Sequence, residues 1–151
     1  MLNPDAAVAR KVRVLVIDDS AVMRRMLSDA LALDPGIEVV GAAADPYIAR
    51  EKIRRLQPDV LTLDIEMPRM DGLTFLEKLM RAHPMPVVMV SSGNPDACEA
   101  TLRALELGAV NFVLKPQVDL LERMADTIPE IIEKVHEAAQ ARLRFAPLPT
   151  G

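Results

Sequence analysis

The chain has 151 residues, half of them apolar and 26% charged, which suits one domain with a core that needs no disulfide. Its formal net charge of −4 gives no support to a nucleic-acid partner or an anionic membrane surface, and Cys98, the single cysteine, excludes an internal disulfide and a cysteine-based metal site. The opening MLNPDAAVARK lacks a leader pattern and no apolar run nears the ~20 residues that span a bilayer, so a cytoplasmic protein without membrane insertion is expected.

The first β-like run is VRVLVI at 12–17, followed at once by Asp18 and Asp19. Val22, Met26, Ala30 and Leu33 recur at helical spacing and predict a helix from Ala21 to Leu33, stopped by Pro35-Gly36, in which Met23, Met26, Leu27 and Ala30 also have core spacing. The second run, IEVVGAA at 37–43, leads to a helical stretch from Ile48 to Leu56 patterned by Ile48, Lys52, Ile53 and Leu56 and ended at Gln57-Pro58. The third run, DVLTLD at 59–64, finishes on a carboxylate, Asp64, with Glu66, Met67-Pro68 and Asp71-Gly72 close behind. The fourth, PVVMVS at 86–91, follows His83-Pro84, and the fifth, AVNFVL at 109–114, follows Leu107-Gly108 and precedes Lys115-Pro116. Thr127 and Glu130 have capping-box spacing and Pro129 suits a first turn, so a last helix is predicted from about Pro129 to Arg144. Its apolar face is Ile128, Ile131, Ile132, Val135, Ala138, Ala139 and Leu143. APLPTG at 146–151 cannot continue a helix and reads as a proline-containing linker.

All five runs are nearly continuous in Val, Ile, Leu and Met, the pattern of strands covered on both faces. Their alternation with helices over short connections predicts an α/β fold, a doubly wound parallel sheet between two helical layers. In such a sheet ligands bind beyond the carboxyl ends of the strands. Asp18 and Asp19, Asp64, Ser91 with Ser92, and Lys115 all stand at that edge.

Taken singly these residues have ordinary readings: an N-cap for the Asp pair, a capped turn for Asp64, a solvated turn for Lys115. Their convergence is what needs explaining. Two carboxylates ~4 Å apart repel by roughly 4 kcal/mol at an effective dielectric of about 20. Domains are stable by only about 5–15 kcal/mol, so a neutralising partner is expected. Carboxylates with carbonyl oxygens and water describe a hard divalent cation, and a small hydrated site suits Mg²⁺. Lys115 and the Ser91 hydroxyl can hold phosphoryl oxygens beside it, and Asp64 is placed as a nucleophile that forms an acyl phosphate.

Asp18-Asp19, Asp64, Met67-Pro68, Asp71-Gly72, Ser91 and Lys115-Pro116, in this order, resemble the response-regulator receiver domain over most of the chain, from Lys11 to about Arg144. The resemblance implies a flavodoxin-like, CheY-like five-stranded sheet of order 2-1-3-4-5. It also implies phosphorylation of Asp64 by a histidine kinase of the chemotaxis type. Asp19, Asp64 and the backbone carbonyl of Glu66 would bind Mg²⁺, with Asp18 acting mainly through a bound water. Lys115 would contact the phosphoryl group next to a cis peptide bond to Pro116. Ser91 would move to meet the phosphate and Phe112 would turn inward behind it, altering the surface made by the fourth helix, fifth strand and fifth helix.

Residues 60–92 and 101–117 are similar, more narrowly, to the regulatory half of the chemotaxis protein-glutamate methylesterases of the CheB family. That resemblance implies an N-terminal tail at 1–10, a receiver at 11–144 and the start of an interdomain linker at 145–151. A C-terminal esterase that demethylates chemoreceptors would lie outside this chain. No Gly-X-Ser-X-Gly motif occurs, and His83 and His136 read as surface residues. The SSGNPDAC loop after the fourth run departs from the family's usual pattern.

Three alternatives are distinguishable. A haloacid-dehalogenase-type phosphatase needs its nucleophile early with a second Asp two residues on, whereas Glu66 holds that place here. A flavin-binding module needs a glycine- and hydroxyl-rich loop after the first strand, where this chain has two Asp residues. A free-standing receiver that acts by partner binding fits the same motifs.

Overall fold

The computed structural model describes residues 10–67, 72–92, 94–115 and 120–145, the last helix by its backbone alone at 120–127 and 142–145. Five strands and five helices alternate: β1 (Val12–Ile17), α1 (Ala21–Ala32), β2 (Ile37–Ala43), α2 (Pro46–Leu56), β3 (Val60–Asp64), α3 (Gly72–Ala82), β4 (Val87–Ser91), α4 (Pro95–Leu107), β5 (Asn111–Leu114) and α5 (Leu120–Phe145). The strands form one parallel sheet of order β2-β1-β3-β4-β5, as expected of the sequence. No helix among the described residues is long and apolar enough to cross a membrane.

Alternation of side chains along each strand divides the core in two. Leu15, Ile17, Leu61, Leu63, Val87 and Met89 face a layer made by α2, α3 and α4, through Ile53, Phe75, Leu76, Leu79 and Ala104. Val14, Val16, Val60, Val88, Val90 and Val113 face α1 and α5, through Met23, Leu27, Leu31, Ile131, Val135 and Ala138. Coverage on both faces holds for β3 and β4, buried throughout, and for most of β1. It fails for β2 and β5, which lie at the sheet edges and are partly open.

Two helix faces differ in part from expectation: in α1 the Met23, Leu27 and Ala30 spacing is buried and the Val22 and Leu33 spacing is not. In α1, Val22 and Leu33 are 62% and 68% exposed, and the inward stripe is Met23, Leu27, Ala30 and Leu31. Packing of Met23, Leu27 and Leu31 into the core sets this face, and Ser20 caps the helix, its Oγ accepting from the Met23 N–H at 3.2 Å. In α2 the inward residues are Pro46, Ala49 and Ile53, while Ile48 is exposed. Asp45 caps that helix by accepting from the Tyr47 and Ile48 N–H groups, both at 2.9 Å.

The last helix is longer than its caps suggested. It begins at Leu120 and carries Pro129 inside it, so Pro129 is not a first-turn residue. The preceding LLERMADTI is rich in helix formers, which offset the lost N–H and the crowding of the carbonyl four residues earlier that an interior proline brings. Packing of Ile131, Val135 and Ala138 on the sheet secures the segment beyond it. The Pro68 and Asp71 turn, the peptide bond to Pro116, the Thr127 side chain, the N-terminal tail and the linker at 146–151 lie outside the described residues.

Candidate functional site

The strand order reverses about β1, because α1 leads to β2 on one side and α2 returns the chain to β3 on the other. The carboxyl ends of β1 and β3 therefore flank a crevice. Asp18 follows the last residue of β1, and its N–H donates to the Ala43 carbonyl at 3.0 Å. Asp64 is the last residue of β3, beside Val90 of β4. Lys115 follows β5 and is tied to β4 by its N–H donating to the Ser91 carbonyl at 2.7 Å. Three rigid strand tips thus aim their side chains at one volume.

Asp18 is 0% and Asp64 1% exposed, while Asp19 is open to solvent at the rim. One carboxylate oxygen from each of these three residues lies within 4.8 Å of the other two. Lys115 Nζ is 3.0 Å from Asp64 Oδ1 and 3.7 Å from Asp18 Oδ2. The Glu66 N–H donates to Asp64 Oδ1 at 3.1 Å, and the Ser20 N–H to Asp18 Oδ1 at 2.9 Å. Arg24 holds the same turn from below, its guanidinium donating to the Asp18 carbonyl at 2.7 Å.

The two oxygens of each buried carboxylate are therefore unequal. Asp64 Oδ2 and Asp18 Oδ2 are buried with no hydrogen-bond partner among the described residues. Leaving such a group unsatisfied is costly. An orphaned oxygen on Asp64 and one on Asp18 met only by Lys115 at 3.7 Å, with a third carboxylate at the rim, fit the donor set of Mg²⁺, which keeps water in its remaining positions.

The electrostatics agree. Burial pushes the Asp64 carboxyl up to about 7, and the neighbouring Asp18 charge adds to this, against the opposing pull of Lys115 and the Glu66 N–H. Burial likewise raises Asp18, opposed by the Ser20 N–H and Lys115. For Lys115 burial acts downward, but its hydrogen bond to Asp64 and the charges of Asp18, Asp64 and Asp19 outweigh it and leave the ammonium raised. One cation faces three carboxylates, and the cluster is short of positive charge.

Ser91, at the tip of β4, is wholly buried, and Phe112 on β5 is 39% exposed, so Phe112 faces outward with Leu114. Sequence reasoning missed a clasp above the site. Ser92 Oγ donates to Glu66 Oε1 at 2.9 Å and Asn94 Nδ2 donates to Ser92 Oγ at 2.9 Å. Asn94 also caps α4, its Oδ1 accepting from the Ala97 N–H at 2.7 Å. Asn94-Pro95 was legible as a cap followed by an N1 proline; the reach back to Glu66 was not. His83 is exposed, as expected, but His136 is only half open, with Nε2 2.6 Å from Asp34 Oδ2.

Comparison with known proteins points the same way as the geometry. A family model, the response regulator receiver domain, matches residues 14–126. A protein-glutamate methylesterase/protein-glutamine glutaminase of Xanthomonas campestris is 59% identical over 132 residues, covering 87% of this chain and 37% of that protein. One from Geobacter metallireducens is 57% identical over 136 residues, 90% of this chain and 38% of that one. The chain thus spans well under half the length of these relatives. Among solved structures, the response regulator domain of Thermotoga maritima CheB superposes with a TM-score of 0.77 at 42% identity, covering 87% of this chain and 98% of that one. A CheX-CheY-BeF3-Mg+2 complex from Borrelia burgdorferi gives 0.71 at 27% identity, over 90% and 93% of the two chains.

Proposed function

Because the chain belongs to the response regulator receiver domain family, among the receivers of CheB-type methylesterase response regulators, we propose that it is a phosphoacceptor whose nucleophile is Asp64. The observation that carries this reading is the buried, unpartnered Oδ2 of Asp64 beside a single lysine. A carboxylate kept in that state is held ready for an incoming electrophile and cation.

In the reaction an Asp64 oxygen attacks the phosphorus of a phosphohistidine on a chemotaxis-type kinase. The P–N bond breaks, its electron pair returns to the imidazole, and an acyl phosphate forms on Asp64. Asp18, Asp19, Asp64 and the Glu66 backbone carbonyl would hold Mg²⁺, which supplies positive charge to the phosphoryl oxygens and to the crowded carboxylates. Lys115 opposes the upward push of burial on the Asp64 carboxyl before transfer and exchanges its contact from Asp64 Oδ1 to a phosphoryl oxygen afterwards. The Ser91 hydroxyl, at the adjoining strand tip, donates to another. Movement of Ser91 frees space behind it, and Phe112 leaves its outward position to fill that space.

The names of the relatives support a wider reading. The phosphorylated receiver regulates a protein-glutamate methylesterase in the same polypeptide, which acts on chemoreceptors in the cytoplasm. The phosphoacceptor step is tested with a small phosphodonor such as phosphoramidate. With Mg²⁺ the protein should take up one phosphoryl group per chain, seen by intact-mass spectrometry, and Asp64→Asn should take up none. Rapid turnover of small phosphomonoesters would instead assign a phosphatase.

A further inference from the structure

A second concave surface lies away from the strand tips, between α2 and α3. It encloses about 630 Å³, within the range of ligand sites. Its floor is apolar: Ile53, Phe75 and Leu79. Its walls carry Arg50 and Arg54 from α2 and Lys78 from α3, with Tyr47 at one end, 57% exposed.

Three cations stand around this cleft on a chain whose net charge is −4, and no Asp or Glu lines it. None of Arg50, Arg54 and Lys78 forms an ion pair or hydrogen bond with a described residue. The nearby Glu77 is engaged by Arg81 at 3.6 Å. A helix dipole favours basic groups in the last turn and accounts for Arg54, but not for Arg50 or Lys78, which sit in mid-helix.

We propose that the cleft between α2 and α3 is a docking site for an acidic protein segment carrying a bulky apolar side chain. The apolar group would sit on Ile53, Phe75 and Leu79, and carboxylates on either side of it would pair with Arg50, Arg54 and Lys78. The shape favours a peptide over a compact small molecule. The lining runs from Pro46 to Gln57, the full length of α2, and an 11-residue helix is about 16 Å long. Such a groove matches a peptide anchored at successive helical turns. The site stands apart from Asp64, so its occupancy is independent of whether the phosphoacceptor reading holds.

Tyr47 is the only tyrosine and there is no tryptophan, so intrinsic emission reports on the cleft directly. The probe is a synthetic peptide of about 12 residues, three helical turns, with Leu and Phe at helical spacing flanked by Glu. Its counterpart has Lys for every Glu. The acidic peptide should change Tyr47 emission saturably, at least tenfold more tightly than the basic one, and added salt should weaken it. The exposed double variant Arg50→Glu with Arg54→Glu, checked for an unchanged thermal midpoint, should reverse the preference. No saturation at millimolar peptide, equal binding of both peptides, or indifference to the double variant would overturn the proposal. Saturation by a nucleotide such as ATP, where the acidic peptide gives none, would overturn it in favour of a small-molecule site.

Discussion

Asp64 sets the behaviour of the site at the scale of one residue. Its carboxyl is raised from 3.8 to about 7, chiefly by burial and then by Asp18. Between those values the folded chain keeps a proton that the unfolded chain has released, so stability of the metal-free protein should fall as pH rises from about 4 to about 7. The loss has an upper bound of about 4 kcal/mol for a shift of this size. Asp18 adds to it with the same sign. The raised Lys115 contributes stability that is present below its ordinary 10.5 and lost above it, outside this window. Chemical denaturation with a chelator present should show the slope, and Asp64→Asn, neutral at every pH, should flatten it and be the more stable protein at neutral pH. An unchanged slope in Asp64→Asn would place the pH dependence elsewhere. The sequence revealed which residues gather here, since Asp64 and Ser91 end strands and Asp18, Asp19 and Lys115 directly follow them. It did not reveal that one oxygen of each buried carboxylate is left over, because that depends on where the Ser20 and Glu66 N–H groups point.

Elements matter through the joints that aim these side chains. At the β3–α3 joint the Gly72 N–H donates to the Ile65 carbonyl at 3.1 Å, and a Cβ on Gly72 would lie 2.6 Å from the Asp64 carbonyl oxygen and 2.8 Å from Ile65 Cα. Those are backbone atoms at the tip of a central strand and just beyond it, and cannot swing aside as a side chain could. Gly72→Ala should therefore cost about 1–3 kcal/mol and weaken Mg²⁺ binding as the Asp64 tip shifts. Calorimetric titration of Mg²⁺ against the variant measures the second effect; wild-type affinity would show that the tip does not depend on this close approach. Strand limits were readable to within two residues because buried parallel strands are continuous apolar runs. Helix faces were less so. In α1 the Val22 stripe and the Met23 stripe are both apolar at helical spacing, and only packing against the sheet chooses between them. In α5 the cap signals around Pro129 were outweighed by the helix formers before it. The His136 contact with Asp34 joins residues 102 apart, which no local pattern could pair.

At the scale of the whole molecule, one topological fact gives the site its chemistry: reversal of strand order about β1 puts two acidic strand tips side by side. The sequence made the shared edge evident but not the α2–α3 cleft, which exists only once two helices pack on the same face. Mg²⁺ should raise the thermal midpoint of the wild-type chain, and less so that of Asp19→Asn, since binding to the folded state alone is stabilising. Equal shifts would remove Asp19 from the metal site. The central claim, that this crowded edge serves phosphoryl transfer to Asp64, is tested most directly by locating the modified residue. The protein is treated with phosphoramidate and Mg²⁺, reduced with borohydride, which converts an aspartyl phosphate to homoserine, and mapped by tandem mass spectrometry. Homoserine at Asp64 alone, and none when Mg²⁺ is chelated, is the expected result; homoserine at Asp18 or Asp19, or modification indifferent to the metal, would contradict it.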